Sequence, residues 1–463
     1  MANTGCTGFF EIVNSNIYVP FASSSNYDMT LRTDLASQRL FIGNGSNCVA
    51  GIVLNSNYVG INTITPKYPL DVGGNIHGTS NLYLGSNVGV GYSNYPTDLS
   101  GNTGNIITSG NICAGNLGMF RNRIINGDMR INQRGVTSLV NIASKSSFCV
   151  DRIYVYTAYN NVTIVQNTLS TNDAPCAVGL QYSLRLTTSG NQINNLFQLG
   201  QNIEGYNISD FKWGTPYASP VTLSFWFKSN IIAKSPISIC LRNAYAGSSW
   251  ITYITNILSS TSWTYYTITI PGCTIGTWNA NNLNGLELLI GNFSGVAAIS
   301  TTDTWGNYSG SVTSTTSVRW DMTANNYIEF TGLQLEKGTI ATPFESRPYS
   351  VELQLCQRYF VVYGNESSMA RLAIGNWYSS IEGYVYFTSP VDMRIIPSLS
   401  SSNNGKAVLE AITWYNITSL SMITAESSNR LFMVKYTISS GVATNGVVAM
   451  LGQGAIVFFS AEL

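Results

Sequence analysis

The chain has 463 residues, with 23 Lys+Arg balanced by 23 Asp+Glu, a length that accommodates roughly two to four domains. Charged residues make up only 10% of it, against roughly 25% in an ordinary soluble protein, and Asn, Ser, Thr, Gly and Tyr take their place. The balanced charge and the lack of any basic run exclude a nucleic-acid partner, which would need clustered Lys and Arg, and no apolar run reaches the roughly 18 residues of a membrane-inserted helix.

Residues 1–25 carry two apolar stretches, Phe9-Phe10-Glu11-Ile12-Val13 and Ile17-Tyr18-Val19-Pro20-Phe21, and read as an attachment or capping segment. From 26 to 117 the pattern is short strand, turn, short strand. Leu40-Phe41-Ile42-Gly43-Asn44 is echoed by Leu82-Tyr83-Leu84-Gly85-Ser86. Strands of this length with Gly at their ends cannot bury an apolar face alone and gain stability by stacking on neighbours or on other chains. The run from Val59-Gly60-Ile61-Asn62-Thr63 through Pro66 to Leu70-Asp71-Val72-Gly73-Gly74 resembles a recurring shaft element of trimeric viral and phage fibres. That resemblance implies a homotrimer wound through residues 26–117.

At Arg121-Asn-Arg-Ile-Ile-Asn-Gly-Asp-Met-Arg-Ile-Asn-Gln-Arg-Gly135 the chain changes character. Asn126-Gly127-Asp128 is turn chemistry, with Gly127 expected at positive φ, and Met129 and Ile131 alternate with polar neighbours as in a half-buried strand. Residues 118–348 read as one large β-sandwich, with strands predicted at 152–158, 162–168, 180–187, 221–228, 236–243, 251–257, 264–270, 286–291, 317–321 and 327–333. Val221-Thr-Leu-Ser-Phe-Trp-Phe-Lys228 places Leu223, Phe225 and Phe227 on one face, and many strands at this spacing mean a sandwich or jelly roll. Residues 350–357 are expected to form a short helix or a linker, with Ser350 as the candidate N-cap. Residues 349–463 read as a second, smaller β-sandwich, which makes the fold class all-β throughout.

Several of these stretches share a resemblance. "RIINGDMRINQRG", the Asp151-Arg152-Ile153 step, Gly332-Leu-Gln-Leu-Glu-Lys-Gly338 with Thr342-Pro-Phe-Glu-Ser-Arg-Pro-Tyr349, Leu355-Cys-Gln-Arg-Tyr-Phe360 and Pro390-Val-Asp-Met-Arg394 with Pro397 resemble a jelly-roll family of tail-fibre and virion-surface proteins of phages and large DNA viruses. Ile153 stands where that family has an aromatic residue. The resemblance implies a fibre or spike on the virion surface, joined to other virion proteins through its N-terminal region and contacting host surface glycans. The opening Met-Ala-Asn-Thr-Gly lacks the basic and apolar regions of a signal peptide, which fits assembly in the host cytoplasm.

Catalytic chemistry has little to build on. His77 is the single histidine, in a turn of the shaft, so no Ser-His-Asp or Cys-His arrangement is predicted. Asp321, Glu329 and Glu336 are the carboxylates from which a glycosidase pair would be drawn, but Glu336 belongs to a family motif and reads as a structural partner, with Arg347 the candidate cation. The cysteines at 6, 48, 113, 149, 176, 240, 273 and 356 show no metal-ligand spacing and read as isolated thiols, with a Cys149–Cys176 pairing left open. No cofactor is expected. Seven Asn-x-Ser/Thr triplets occur, at Asn44, Asn161, Asn207, Asn292, Asn307, Asn365 and Asn416, a number that a chain this rich in Asn, Ser and Thr reaches largely by chance.

Aromatic rings give the stronger signal, because Trp and Tyr faces stack on the C–H faces of sugars while amides and hydroxyls bond the sugar hydroxyls. Two stretches combine these parts, Asn243-Ala-Tyr-Ala-Gly-Ser-Ser-Trp250 and Thr302-Asp-Thr-Trp-Gly-Asn-Tyr-Ser309. Tyr245, Trp250, Trp305 and Tyr308 are therefore the predicted glycan-binding residues. The competing readings are a structural virion protein that only docks to other virion proteins, and a glycan-degrading spike.

Overall fold

The computed structural model describes residues 39–43, 51–55, 58–61 and 70–72 and, with short gaps, 120–463. His77, Tyr245 and the segment 1–25 lie outside the described residues. The chain divides into two compact units, Met1–Gly110 and Asn111–Leu463, and among the described residues strands dominate, as the all-β reading requires.

Among the described residues of the first unit, four short strands form one sheet, Arg39–Gly43, Gly51–Asn55, Tyr58–Ile61 and Leu70–Val72. The first three pair antiparallel, and the last lies parallel to the third, with Val59 opposite Leu70 and Ile61 opposite Val72. Ile52, Ile61 and Leu70 remain 40%, 40% and 58% exposed.

The second unit opens as a sandwich of two antiparallel sheets. The seven-stranded sheet runs Trp305–Asn307, Ile251–Leu258, Pro236–Arg242, Asn284–Ile290, Phe197–Glu204, Tyr154–Thr157, Ser147–Phe148. The six-stranded sheet runs Thr264–Ile270, Val221–Ser229, Tyr327–Lys337, Tyr182–Thr188, Val162–Thr168, Ser138–Leu139. Alternation along each strand fills the space between them with Phe197, Leu223, Phe225, Phe227, Leu288 and Phe330, all buried. The reading of 317–321 as a strand is corrected: Trp320–Met322 is a 3-10 turn, fixed by the buried Trp320, whose Nε1 donates to the Gly291 carbonyl at 2.9 Å. Phe197–Glu204, absent from the predicted strands, is central, and its Gly200 sits where a Cβ would stand 1.8 Å from the Leu288 carbonyl oxygen.

The opening motif is not a strand. Residues 121–134 form a buried irregular segment whose backbone groups are satisfied largely by side chains. Asn122 Oδ1 accepts from Ile124 N (2.9 Å) and Leu335 N (3.0 Å), and Gln201 bonds both backbone groups of Ile125. Asn126 accepts from Ile131 N (2.8 Å) and donates to the carbonyls of Ile131 and Asp151 (both 2.9 Å). The left-handed residues are Asn126 and Met129 (both φ 61°) rather than Gly127. Gly127 serves close approach instead: a Cβ there would lie 2.2 Å from the Leu333 carbonyl oxygen.

The helix Tyr349–Gln357 follows, preceded by Pro348 with no side-chain cap, so Ser350 lies within its first turn. In the C-terminal module six strands close as a barrel: Ala373–Trp377, Glu382–Thr388, Leu431–Ile438, Thr413–Met422, Lys406–Leu409, Val448–Gly452. A three-stranded sheet of Phe360–Tyr363, Ile456–Ser460 and Ser398–Asn403 shares its core, in which Trp377, Phe387, Phe432, Tyr436 and Phe459 meet. Pro390–Arg394 is loop; Pro390 and Pro397 lack the donors a ladder needs, while Met393 is buried and Arg394 donates to the Ala461, Glu462 and Asn282 carbonyls.

The motifs singled out in the sequence converge where sandwich and C-terminal module meet. Glu204 accepts from Arg358 Nε (2.8 Å) and Tyr359 OH (2.7 Å). Arg134 pairs with Asp151 (3.0 Å) and Glu462 (3.4 Å), and Arg152 also pairs with Glu462. Gln133 Nε2 bridges Asp151 and the Phe360 carbonyl at 2.6 and 2.7 Å. Apart from the Gln133–Phe360 bond these are charge-assisted, individually strong and costly to leave half-made.

Candidate functional site

The edge of the seven-stranded sheet brings two of the predicted residues together and separates a third. Ile251 pairs with Asn307, Thr252 with Gly306 and Tyr253 with Trp305. Successive side chains on a strand point to opposite faces, so Tyr253 and Trp305 face the sandwich interior while Trp250 and Tyr308 fall on the outer face. Trp305 lies against Trp213, Tyr253 and Trp278 with ring centroids 5.1, 5.3 and 5.6 Å away, and its Nε1 donates to the Pro271 carbonyl at 2.7 Å. It is an anchor of an aromatic nest on a short edge strand, not a loop residue.

On the outer face Tyr308 N donates to the Trp250 carbonyl at 3.2 Å, which sets the two residues side by side. Both are half-buried. The Tyr308 ring lies over Gly306, where a Cβ would come within 2.5 Å of its Cζ. The guanidinium of Arg242 stands 4.3 Å from the Trp250 ring centroid, a cation–π contact. Behind it Arg242 Nε donates to Glu287, and Glu287 also accepts from the Tyr154 hydroxyl. The register explains the grouping, since Thr252, Arg242, Glu287 and Asn202 stand abreast across four strands.

All three polar residues behind Trp250 are buried. Burial and then the Glu287 carboxylate push the Tyr154 hydroxyl well above its ordinary range. Burial works against the Arg242 charge, but Glu287 outweighs it and raises the guanidinium pKa. The thiol of Cys240 beneath them is pushed up to about 12, chiefly by burial, so it stays protonated and inert. A fixed arginine–carboxylate–phenol chain thus backs a pair of rings at a sheet edge. Arg242, Glu287 and Tyr154 were not singled out in the sequence; their signal was a charged residue at the end of an apolar strand, legible only once the register is known.

Asn243 shapes the approach to the neighbouring loop, accepting from Ile251 N (2.9 Å) and donating to the Thr277 carbonyl (3.0 Å). The carboxylates weighed for hydrolysis each have their own partners. Asp321 is held by Arg319 at 2.7 and 2.9 Å, and Glu329 by Arg185 and Ser183 at 2.7 and 2.6 Å. Glu336 accepts from Thr342 N at 2.8 Å and Thr342 Oγ1 at 2.7 Å, while Arg347 pairs with Glu345 and Glu352 instead. Cys149, Cys176, Cys240, Cys273 and Cys356 are free thiols.

No protein-family model matches the chain, and no curated protein does. Among solved structures, the enzymatically active domain of tailspike protein 4 of bacteriophage CBA120 matches with a TM-score of 0.25 and 12% identity, over 47% of this chain and 22% of that one. A family 61 carbohydrate-binding module in complex with β-1,4-galactotriose matches at TM-score 0.20 and 11% identity, over 47% of this chain and 99% of the module. A family 11 carbohydrate-binding module of a Clostridium thermocellum cellulosomal cellulase gives TM-score 0.22 and 10% identity, over 45% and 98%.

Proposed function

We propose that this chain is a fibre or spike protein of a virion surface that attaches the particle to host glycans, and that sugar binds at the Trp250–Tyr308 edge. The observation that carries the reading is the pairing of two half-buried rings with a buried Arg242–Glu287–Tyr154 chain behind them. Ring faces take the C–H face of a pyranose, and the Arg242 guanidinium against the Trp250 ring restrains it, which limits the ordering cost of binding. Residues 26–117 join copies as a homotrimer and the N-terminal region meets other virion proteins; the exposed Ile52, Ile61 and Leu70 on one short sheet support that assembly.

The test is a glycan array on the intact protein followed by titration of Trp250→Ala. Losing one stacked ring is expected to weaken binding roughly tenfold at an unchanged melting temperature, whereas Trp305→Ala lowers the melting temperature because it opens the aromatic nest. Unchanged affinity in Trp250→Ala removes the edge as the site. Light scattering checks the assembly, and a monomeric intact protein ends the trimer reading.

A further inference from the structure

The outer face of the six-stranded sheet carries side chains that the edge site does not use. Alternation along Val221–Ser229 buries Phe225 and Phe227 and leaves Trp226 and Lys228 half-buried on the other side. Register sets Trp226 opposite Tyr265, Lys228 opposite Glu329, and Glu329 opposite Arg185. The Trp226 and Tyr265 rings are 5.3 Å apart and inclined by 50°, and Tyr265 is 42% exposed. Lys228 Nζ stands 4.6 Å from the Trp263 ring centroid, and Trp263 Nε1 donates to Asp173 Oδ1 at 2.9 Å.

The platform is bounded. Leu180 flanks it where Gly332 leaves room, since a Cβ there would stand 2.8 Å from Leu180 Cδ1 and 3.4 Å from Trp226 Cδ1. Further along the same strand Thr222 and Ser224 are buried, with Thr222 Oγ1 donating to the Gly338 carbonyl at 2.8 Å. Its charges also close on themselves. Lys228 lies 3.8 Å from Asp173 and 3.6 Å from Glu329, and Arg185 lies 2.7 Å from Glu329. Two cations meet two carboxylates, so no net charge is offered to a ligand.

We infer that this face is a second carbohydrate-binding surface, and that its ligand is an uncharged polysaccharide. Three aromatic rings on one face supply stacking area. The Asp173 carboxylate and the Lys228 ammonium, beside the rings, bond hydroxyls. A sulfated or uronic-acid chain would have to compete with Asp173 and Glu329 for Lys228 and would meet their repulsion, whereas a neutral sugar would not. The inference deepens the glycan-binding reading while standing on different residues from the edge site.

The experiment is affinity electrophoresis of the intact protein through gels containing mixed-linkage β-glucan, hydroxyethylcellulose or β-mannan, with alginate as the polyanion. The wild type is expected to be retarded by at least one neutral polymer and not by alginate. Tyr265→Ala, at an exposed position, weakens that retardation roughly tenfold, and Tyr265→Phe, which keeps the ring, restores it. If Tyr265→Ala loses binding and Trp250→Ala does not, the platform stands and the edge site falls. If only Trp250→Ala loses binding, the platform is overturned. Retardation by alginate alone, or by no polymer, overturns it as well. So does a change in self-association of Tyr265→Ala with polysaccharide binding intact, which makes the face a protein contact.

Discussion

Asn126 does more for this fold than its place in a turn motif reveals. It is fully buried, holds a left-handed backbone (φ 61°), and bonds Ile131 N and the carbonyls of Ile131 and Asp151, the Ile131 carbonyl also accepting from Asp151 N. Each such bond contributes about 1 kcal/mol net, and an orphaned buried partner costs more. Asn126→Ala is therefore expected to lower the unfolding free energy by about 3–5 kcal/mol, measurable by denaturant titration. Its neighbour Gly127 fails for a different reason. Gly127→Ala puts a methyl against the backbone oxygen of Leu333, which cannot rotate away, and costs about 1–3 kcal/mol as overpacking. A variant as stable as the wild type at either position contradicts this account of the segment.

Among the elements, Tyr327–Lys337 shows how one residue redirects a whole strand. Ile328 and Phe330 face the core before Gly332, and Leu333 and Leu335 face it afterwards, so the inward parity switches. The switch is a β-bulge opposite Ser224–Trp226, with Gly332 at φ 66°. Gly332→Ala combines left-handed strain with contact on Leu180 and is expected to cost about 1–2 kcal/mol; an unshifted denaturation midpoint would argue against the bulge. Strands that no glycine interrupts, such as Val162–Thr168 and Thr264–Ile270, are legible in the sequence to the residue. Those where a glycine breaks the alternation are not: Gly200 hides Phe197–Glu204 and Gly332 hides the far half of the closing strand. The candidate site was half legible for the same kind of reason. Trp250 and Tyr308 could be read as sugar-stacking rings from composition, but only the pairing of Tyr253 with Trp305 shows that Trp305 points the other way.

In the molecule as a whole, the joint between sandwich and C-terminal module is where pH should act. Burial raises the Asp151 carboxyl from 3.8 to about 6, even though Arg134 and Gln133 pull it down. The folded protein then keeps this proton between about pH 4 and 6, where an unfolded aspartate has lost it, so the group's contribution to stability is present at low pH and is lost as pH rises through 6. The difference is on the order of 3 kcal/mol. Wild type should lose stability relative to Asp151→Asn over that window in unfolding titrations from pH 4 to 7; parallel curves for the two proteins would place the carboxyl elsewhere.

The same joint takes four ion pairs out of the solvent. Arg134, Arg152, Arg347 and Arg358 are turned inward onto Asp151, Glu462, Glu352 and Glu204, in a chain with only 23 cationic and 23 anionic side chains. Buried pairs are screened far less than exposed ones, for which the screening length is about 10 Å at 0.1 M salt. A face that grips sugar with rings and self-neutralised ions has no counterions to release when it binds. On the glycan-binding reading, the grip on a neutral sugar is then indifferent to salinity, as firm in sea water as in fresh.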